Sequence, residues 1–354
     1  MRHALALARR GLGRVAPNPA VGCVILGEGR IVGRGWTQPG GRPHAETEAL
    51  KRAGTAAKGA TAYVTLEPCA HQGETPPCCE ALVAAGIACV VGAIEDPDPR
   101  VKGRGFARLR EAGVEVRTDV LSEKAAELNA GFFLRIREGR PHVTLKLAQS
   151  LDGETTGPGQ DRWITGLEAR RFGHLLRAQT DAILIGSETA LADDPELTCR
   201  IPGLEGRSPL RVILDTRGRL GSDSKIARSA RDVPTVVFTG DQKAVLRLTK
   251  CGIEVLAAKR DANGRVDIPA MLQALGKRGV TRLLVEGGRT VQSSFLHAGL
   301  ADRVELFTAP VFLGAQQGNA ARTSVNTDLT ALPFARESRR MLGPDLLESF
   351  VRKA

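Results

Sequence analysis

His44, Glu46, Cys69 and Cys78 are the residues of this 354-residue chain whose types and spacing most directly suggest chemistry. A histidine and two cysteines offer three soft or borderline ligands. Three protein ligands leave the fourth tetrahedral position of Zn²⁺ to water, which is the arrangement of a catalytic site rather than a structural one. Glu46 stands two residues from His44, near enough to reach that water without being a ligand. A carboxylate so placed can take a proton from the water and deliver it to a leaving amine. His-x-Glu and Pro-Cys are common by chance; what makes them a set is their order along strand, loop and helix. Cys79 falls outside it, because neighbours on a helix diverge by about 100° and cannot easily share a metal with Cys78. Cys23 and Cys89 lie in apolar stretches and read as core fillers. Cys199 and Cys251 carry no partner signal.

Elements must hold these residues in place. In the first half, residues 21–26 and 30–36 read as a strand hairpin turned at Gly27-Glu28-Gly29. Residues 44–53 read as a helix, with Pro43 at its start and Gly54 past its end. Strand 61–66, helix 78–85, strand 87–94, helix 105–112, strand 114–116 and a longer helix over 122–137 follow. His44 and Cys78 therefore open helices, where partial positive charge favours a thiolate. Gly139-Arg140-Pro141 marks a break. Beyond it, strands are expected at 142–148, 182–186, 210–215, 235–238, 254–256 and 282–285, with helices between. Strands at 303–312 and 346–352, separated by a long polar loop, close the second sheet antiparallel. Both halves read as layered α/β.

Composition bounds the alternatives. With 42% hydrophobic and 25% charged residues, disorder is excluded. The longest uncharged apolar run, 82–94, is shorter than the ~18 residues a membrane helix needs. Seven cysteines are an odd number and too uneven for a disulfide scaffold. Arg9 and Arg10 are followed by no apolar leader core, so the chain reads as cytoplasmic. The net charge of +11 divides near residue 138 as +4 and +7, so no single arm holds it.

The pattern of His44, Glu46, Pro68 and Cys69 is that of the zinc nucleobase deaminases. It departs from them in the eight residues between Cys69 and Cys78, an insertion suited to shaping a substrate pocket. Pro17-Asn18-Pro19-Ala20-Val21-Gly22, His44-Ala45-Glu46, and Thr65-Leu66-Glu67-Pro68-Cys69-Ala70-His71 through Thr75-Pro76-Pro77-Cys78 closely resemble the pyrimidine deaminase of riboflavin biosynthesis. In that family a reductase of dihydrofolate-reductase-like fold follows. The second half agrees in Lys146 to Gly153, Trp163-Ile164-Thr165, Leu191 to Arg200 and Val285-Glu286-Gly287-Gly288.

The resemblance spans essentially the whole chain. It implies a cytidine-deaminase-like three-layer sandwich over residues 1–140 and an NADPH-dependent reductase domain over 141–354. The implied reactions are deamination of 2,5-diamino-6-ribosylamino-4(3H)-pyrimidinone 5′-phosphate, then reduction of its ribosyl chain to ribityl. It also implies residue roles: His44, Cys69 and Cys78 hold one zinc, Glu46 shuttles protons, and Asn18 and His71 line the base pocket. Ala148, Trp163, Thr189, Asp193, Thr216 and the run Gly288, Arg289, Thr290, Val291, Gln292, Ser293 and Ser294 would surround NADPH. Asp161, Arg177, Leu197, Arg200 and Glu286 would meet the ribosyl phosphate.

Read without the family, these motifs say less. Paired glycines at a strand end let backbone N–H groups approach a phosphate, but also make a plain turn. Arg177 and Arg200 suit a phosphate dianion, which favours fixed, planar donors, and they are also two arginines among many. Hydride transfer needs alignment and one proton donor, for which Lys146, Asp193 and Glu286 are the candidates. Arg217, after strand 210–215, is placed for a nucleotide 2′-phosphate. Two other readings compete. A polynucleotide deaminase would use the positive charge, but Trp36 and Tyr63 are the sole Trp and Tyr of the first half, and no basic-aromatic stripe appears. A structural zinc module would fill four protein ligands and has no need of Glu46. No nucleic-acid or membrane partner is expected. An antiparallel edge in the second half could pair two chains into a homodimer.

Overall fold

Short apolar strands punctuated by glycine and proline build two sheets of different strand order. The structure is a computed structural model that describes residues 1–72, 76–155, 163–314 and 332–353. It divides into two units, Met1–Pro141 with Gly276–Thr281, and His142–Leu275 with Arg282–Ala354.

The first unit runs α1 (Arg2–Ala8), β1 (Gly22–Gly27), β2 (Arg30–Trp36), α2 (Ala45–Ala53), β3 (Thr61–Val64), α3 (Cys78–Ala84), β4 (Cys89–Gly92), α4 (Arg104–Glu111), β5 (Glu115–Arg117), α5 (Ser122–Leu128) and α6 (Ala130–Glu138). Its sheet has the order β2-β1-β3-β4-β5. The β1 strand is antiparallel to both β2 and β3, and β3, β4 and β5 are parallel. Alternation along β1 and β2 sorts the two faces. Gly33 and Gly35 lie under α2, where an added Cβ would stand 2.3 Å from the Ala49 carbonyl oxygen and 2.1 Å from that of Ala45. The helix therefore rests directly on backbone, with Cys23, Ile25, Ala45 and Ala49 fully buried between. On the opposite face α1 packs Ala4 and Leu7 against Val24. Helix, sheet and helix make the expected three layers.

The single helix expected over 122–137 is two. Asn129 interrupts it: its side-chain oxygen accepts from Ala20 N at 2.9 Å and its amide donates to Ala20 O at 3.2 Å. A buried side chain tied to a segment 109 residues away outweighs local helix propensity.

The second unit runs β6 (His142–Gln149), α7 (Leu167–Ala178), β7 (Ala182–Gly186), α8 (Ser187–Asp193), β8 (Leu210–Leu214), α9 (Lys225–Arg228), β9 (Thr235–Thr239), α10 (Gln242–Lys250), β10 (Glu254–Ala257), α11 (Ile268–Lys277), β11 (Arg282–Val285), α12 (Arg289–His297), β12 (Arg303–Thr308), β13 (Phe334–Leu342) and β14 (Asp345–Arg352). The sheet order is β10-β9-β8-β7-β11-β6-β12-β14-β13. Every pairing from β10 to β12 is parallel, and β14 then runs antiparallel to both β12 and β13. The β7 and β9 strands are buried along their whole length, as continuous apolar runs in a covered parallel sheet should be. Sequence reading missed β13, whose residues Arg336 to Arg340 are all exposed and show no apolar alternation. It is an edge strand dense in charge. The strand expected over 303–312 stops at Thr308. Among the described residues, no helix is long and apolar enough to cross a membrane.

Candidate active site

In the first unit, His44 is the N-cap of α2 and Cys78 the first residue of α3, while Cys69 lies on the loop after β3. Their ligand atoms all lie within 4.8 Å of one another. His44 Nδ1 is 3.3 Å from Cys78 Sγ and 3.7 Å from Cys69 Sγ. A tetrahedral zinc with ordinary Zn–N and Zn–S bonds would set such pairs about 3.6 Å apart, so the donor set fits the ion. Glu46, on the first turn of α2, is 3% exposed. Burial pushes its carboxyl up to about 7, partly offset by the His44 charge.

The start of α3 meets both thiols: Cys78 is its first residue, and its first N–H reaches Cys69. Cys69 is the acidic one, drawn down to about 4, chiefly because it accepts from the Cys78 thiol. The Cys78 backbone N–H also donates to Cys69 Sγ at 3.3 Å. The helix start thus aims its N–H at the other cysteine, and Cys78 is pushed up by donating to Cys69 and by burial. Cys79 lies in the apolar core instead.

Around this centre, Asn18 is half-buried and abuts Gly41, whose φ of +85° and missing Cβ leave it room. His71 Nδ1 is buried and has no hydrogen-bond partner among the described residues, which leaves it available to a ligand. Residues 73–75 of the insertion lie outside the described residues.

Sequence reading missed three acids here. Glu67, 3% exposed, accepts from the backbone N–H groups of Asp96, Gly103, Gly105 and Phe106 at 2.8–3.2 Å. It locks the start of α4 to the ligand loop, and Gly105 lies so close that a Cβ would stand 1.9 Å from the Pro68 carbonyl oxygen. Asp96 is pushed up to about 7 by burial. Asp98 is held below the usual carboxylate range by its hydrogen bonds to Arg100, with the His71 charge contributing. Asp-Pro-Asp-Pro looks like an ordinary turn, and only the fold brings it beside His71.

In the second unit, Ala148, Thr189, Thr216 and Gly288 lie at or just beyond the carboxyl ends of β6, β7, β8 and β11, the end where open parallel sheets bind ligands. Gly186 and Gly288 are the N-caps of α8 and α12, and neither helix start has a side-chain cap. A Cβ on Gly287 would stand 2.7 Å from Ile185, and one on Gly288 3.2 Å from Thr189 Oγ1. Bare helix N-termini meeting in a glycine-lined crevice suit a phosphate-bearing cofactor. Within α12, Gln292 turns inward and donates to Lys146 O, Arg289 donates to Thr155, Ser293 and Ser294 bond within the helix, and Val291 touches Gly186. Thr290 and Asp193 are exposed. Trp163 is half-exposed under the Arg170 guanidinium, 5.0 Å from its ring centroid.

Glu286, immediately after β11, holds Arg177 in a bidentate pair of 2.7 and 2.8 Å. Burial alone would raise its carboxyl; the Arg177 charge and hydrogen bonds, with Lys146, outweigh this and hold it at about 2. Lys146 lies beside it, since Leu145 and Val285 are register partners, and burial lowers its pKa. Arg177 also donates to Thr198 O, so its fork is engaged before any phosphate arrives. Arg200 is exposed and pairs with Glu196 at 3.1 Å. Leu197 is buried with its side chain in the core and φ +58°. Asp161 lies outside the described residues.

Comparison with known proteins fits both halves. The cytidine and deoxycytidylate deaminase zinc-binding region matches residues 1–94, and the RibD C-terminal domain matches residues 141–339. Riboflavin biosynthesis protein RibD of Escherichia coli (strain K12) is 41% identical, over 98% of this chain and 96% of its own length. The chain belongs to the RibD family. Its Aquifex aeolicus member is 40% identical over 99% of this chain and 97% of its own. Among solved structures, Acinetobacter baumannii RibD superposes with a TM-score of 0.86 at 37% identity, covering 100% of this chain and 98% of that one. A Thermotoga maritima structure superposes at 0.88 and 34% identity, covering 100% and 97%. It is described as a diaminohydroxyphosphoribosylaminopyrimidine deaminase/5-amino-6-(5-phosphoribosylamino)uracil reductase. As a RibD-family chain, this is a bifunctional deaminase and reductase of riboflavin biosynthesis, with the cytidine-deaminase-like fold followed by the dihydrofolate-reductase-like one.

Proposed function

We propose that residues 1–140 deaminate 2,5-diamino-6-ribosylamino-4(3H)-pyrimidinone 5′-phosphate, and that residues 141–354 then reduce its ribosyl chain with NADPH, giving 5-amino-6-(5-phosphoribitylamino)uracil. The observation that carries this reading is the convergence of His44, Cys69 and Cys78 around one point beside the buried Glu46. Those three residues would hold one zinc, which would supply the Lewis acidity that makes water a nucleophile at neutral pH. Glu46 accepts the proton that water loses as a C–O bond forms at the amine-bearing ring carbon. It returns the proton to the nitrogen as the C–N bond breaks and ammonia leaves. Asn18 and His71, with Asp96 and Asp98 behind them, orient the base.

In the second half, NADPH supplies the hydride. The bare starts of α8 and α12 would hold its phosphates, Arg217 would be the residue for its 2′-phosphate, and Ala148, Trp163, Thr189, Asp193 and Thr216 would line it. Lys146 is the proton donor in this reading. Glu286 is ionised throughout the physiological range and Asp193 is exposed, which leaves Lys146, partly buried and beside Glu286. Arg177 orients Glu286, and Arg200 meets the substrate phosphate. Cytoplasmic location suits seven unpaired cysteines, and pairing of two chains through β13 suits its edge position.

The deciding experiment incubates the protein with the diaminopyrimidine substrate, with and without NADPH, and follows both products by chromatography. Deaminated product alone should accumulate without NADPH, and stripping zinc with a chelator should abolish it. Deamination by metal-free protein overturns the reading. Lys146→Met should lower the NADPH-dependent step by about 10²-fold or more while sparing deamination. An unchanged reduction rate removes Lys146 as donor.

A further inference from the structure

Halving the chain conceals where its positive charge lies. The first 60 residues hold ten Lys or Arg against three Asp or Glu, a net of +7, and the first 27 hold no acid. One of the three acids, Glu46, is buried in the zinc site. This segment folds as α1, β1, β2 and α2, and it brings Arg10, Arg34 and Arg52 together at the edge strand β2.

There the first unit has a groove of about 630 Å³, within the range of small-molecule sites. It is lined by His3, Arg10, Arg34, Trp36 and Arg52, among others, and by no acidic residue. The Trp36 ring is flanked by two guanidinium groups, Arg10 at 5.0 Å and Arg52 at 5.3 Å from its centroid. Arg52 is fixed further by Glu48 at 2.9 Å and by the Arg34 carbonyl. Stacking on an indole and anchoring to backbone set the guanidinium planes before a ligand binds, which reduces the ordering cost of binding. Arg34 and His3 are exposed and have no side-chain partner among the described residues.

We propose that this groove binds a phosphorylated small molecule of mononucleotide size, separately from the zinc site. Guanidinium groups converging on one concavity select phosphate through charge and paired N–H donors. A second copy of β2 is disfavoured, because antiparallel self-pairing would bring Arg30 and Arg34 against like charge. A nucleic-acid strand needs a row of exposed rings for successive bases, whereas the single indole here already carries guanidinium stacks. Arg52 lies eight residues after His44, about 12 Å further along α2 at the 1.5 Å rise of a helix. The groove therefore adjoins the opposite end of the helix that carries His44 and Glu46.

The test uses full-length zinc-loaded protein with Trp163→Phe, so that Trp36 alone emits and occupancy of the cofactor crevice leaves no tryptophan signal there. ADP and inorganic pyrophosphate are titrated separately. Both should change Trp36 emission saturably with midpoints below about 1 mM. In otherwise wild-type protein, Arg34→Glu should leave zinc content and both reaction rates unchanged. In the Trp163→Phe background it should raise the midpoints at least about tenfold, with Arg34→Lys close to the parent. No saturable change, or equal midpoints in Arg34→Glu, overturns the proposal. So does saturable binding of a single-stranded oligonucleotide or an Asp-rich peptide where ADP and pyrophosphate give none.

Discussion

Glu46→Gln lowers deamination by about 10²–10⁴-fold and leaves reduction of the already deaminated pyrimidine at its wild-type rate. Glutamine keeps the length and shape of the side chain, so the 3%-exposed position on α2 stays filled. What disappears is the group that accepts a proton and returns it to the leaving nitrogen. The three donor atoms around the metal point are untouched, so zinc content should match the parent. Stability should hold as well. Burial already opposes the ionised carboxyl strongly enough to lift it to about 7, so a neutral amide removes a desolvation cost. The second unit has its own sheet and core, which is why reduction is spared. Chromatographic rates for each half-reaction, with zinc measured on the same samples, check this. A variant that deaminates at the parental rate removes Glu46 from the reaction.

The residues legible in the sequence were those whose chemistry needs particular atoms at short range. His44, Glu46, Cys69 and Cys78 could be singled out because few other uses combine those types in that order. Gly287 and Gly288 were legible as a place where backbone must come close, although a plain turn leaves the same trace. The illegible features depend on partners distant in the chain. Glu67 has the same composition as any surface acid until four N–H groups from residues 96–106 close on it. Asn129 reads as a tolerable helix residue until Ala20 claims both ends of its amide. The approach of the Cys78 N–H to Cys69 Sγ at 3.3 Å was equally hidden, because it depends on how the loop after β3 meets the start of α3. The pairing of Arg177 with Glu286 has no local trace either, because the two lie 109 residues apart.

That buried pair yields the strongest stability prediction. Arg177→Ala leaves Glu286 a buried carboxylate without its bidentate partner, and losing one member of a buried pair costs about 3–5 kcal/mol. The cost depends on pH, and its sign follows from the carboxyl's position. In the parent, Glu286 is depressed from 4.5 to about 2. The stability it contributes is therefore complete above about 4.5 and disappears as pH falls towards about 2; the shift corresponds to roughly 3 kcal/mol. In the variant, burial is opposed only by the Lys146 and His174 charges and the carboxyl moves upward, so protonation relieves the buried charge as pH falls. Parent and variant should differ most near pH 7, differ less at pH ~4 and converge only as pH approaches about 2. Backbone hydrogen exchange on β6 and β11 at several pH values reads this without treating the two units as one transition. Arg177→Met combined with Glu286→Leu, which removes both charges, should recover much of the loss in exchange protection. A variant whose protection falls equally at pH 4 and pH 7 would separate the effect from Glu286 and assign it to lost packing alone.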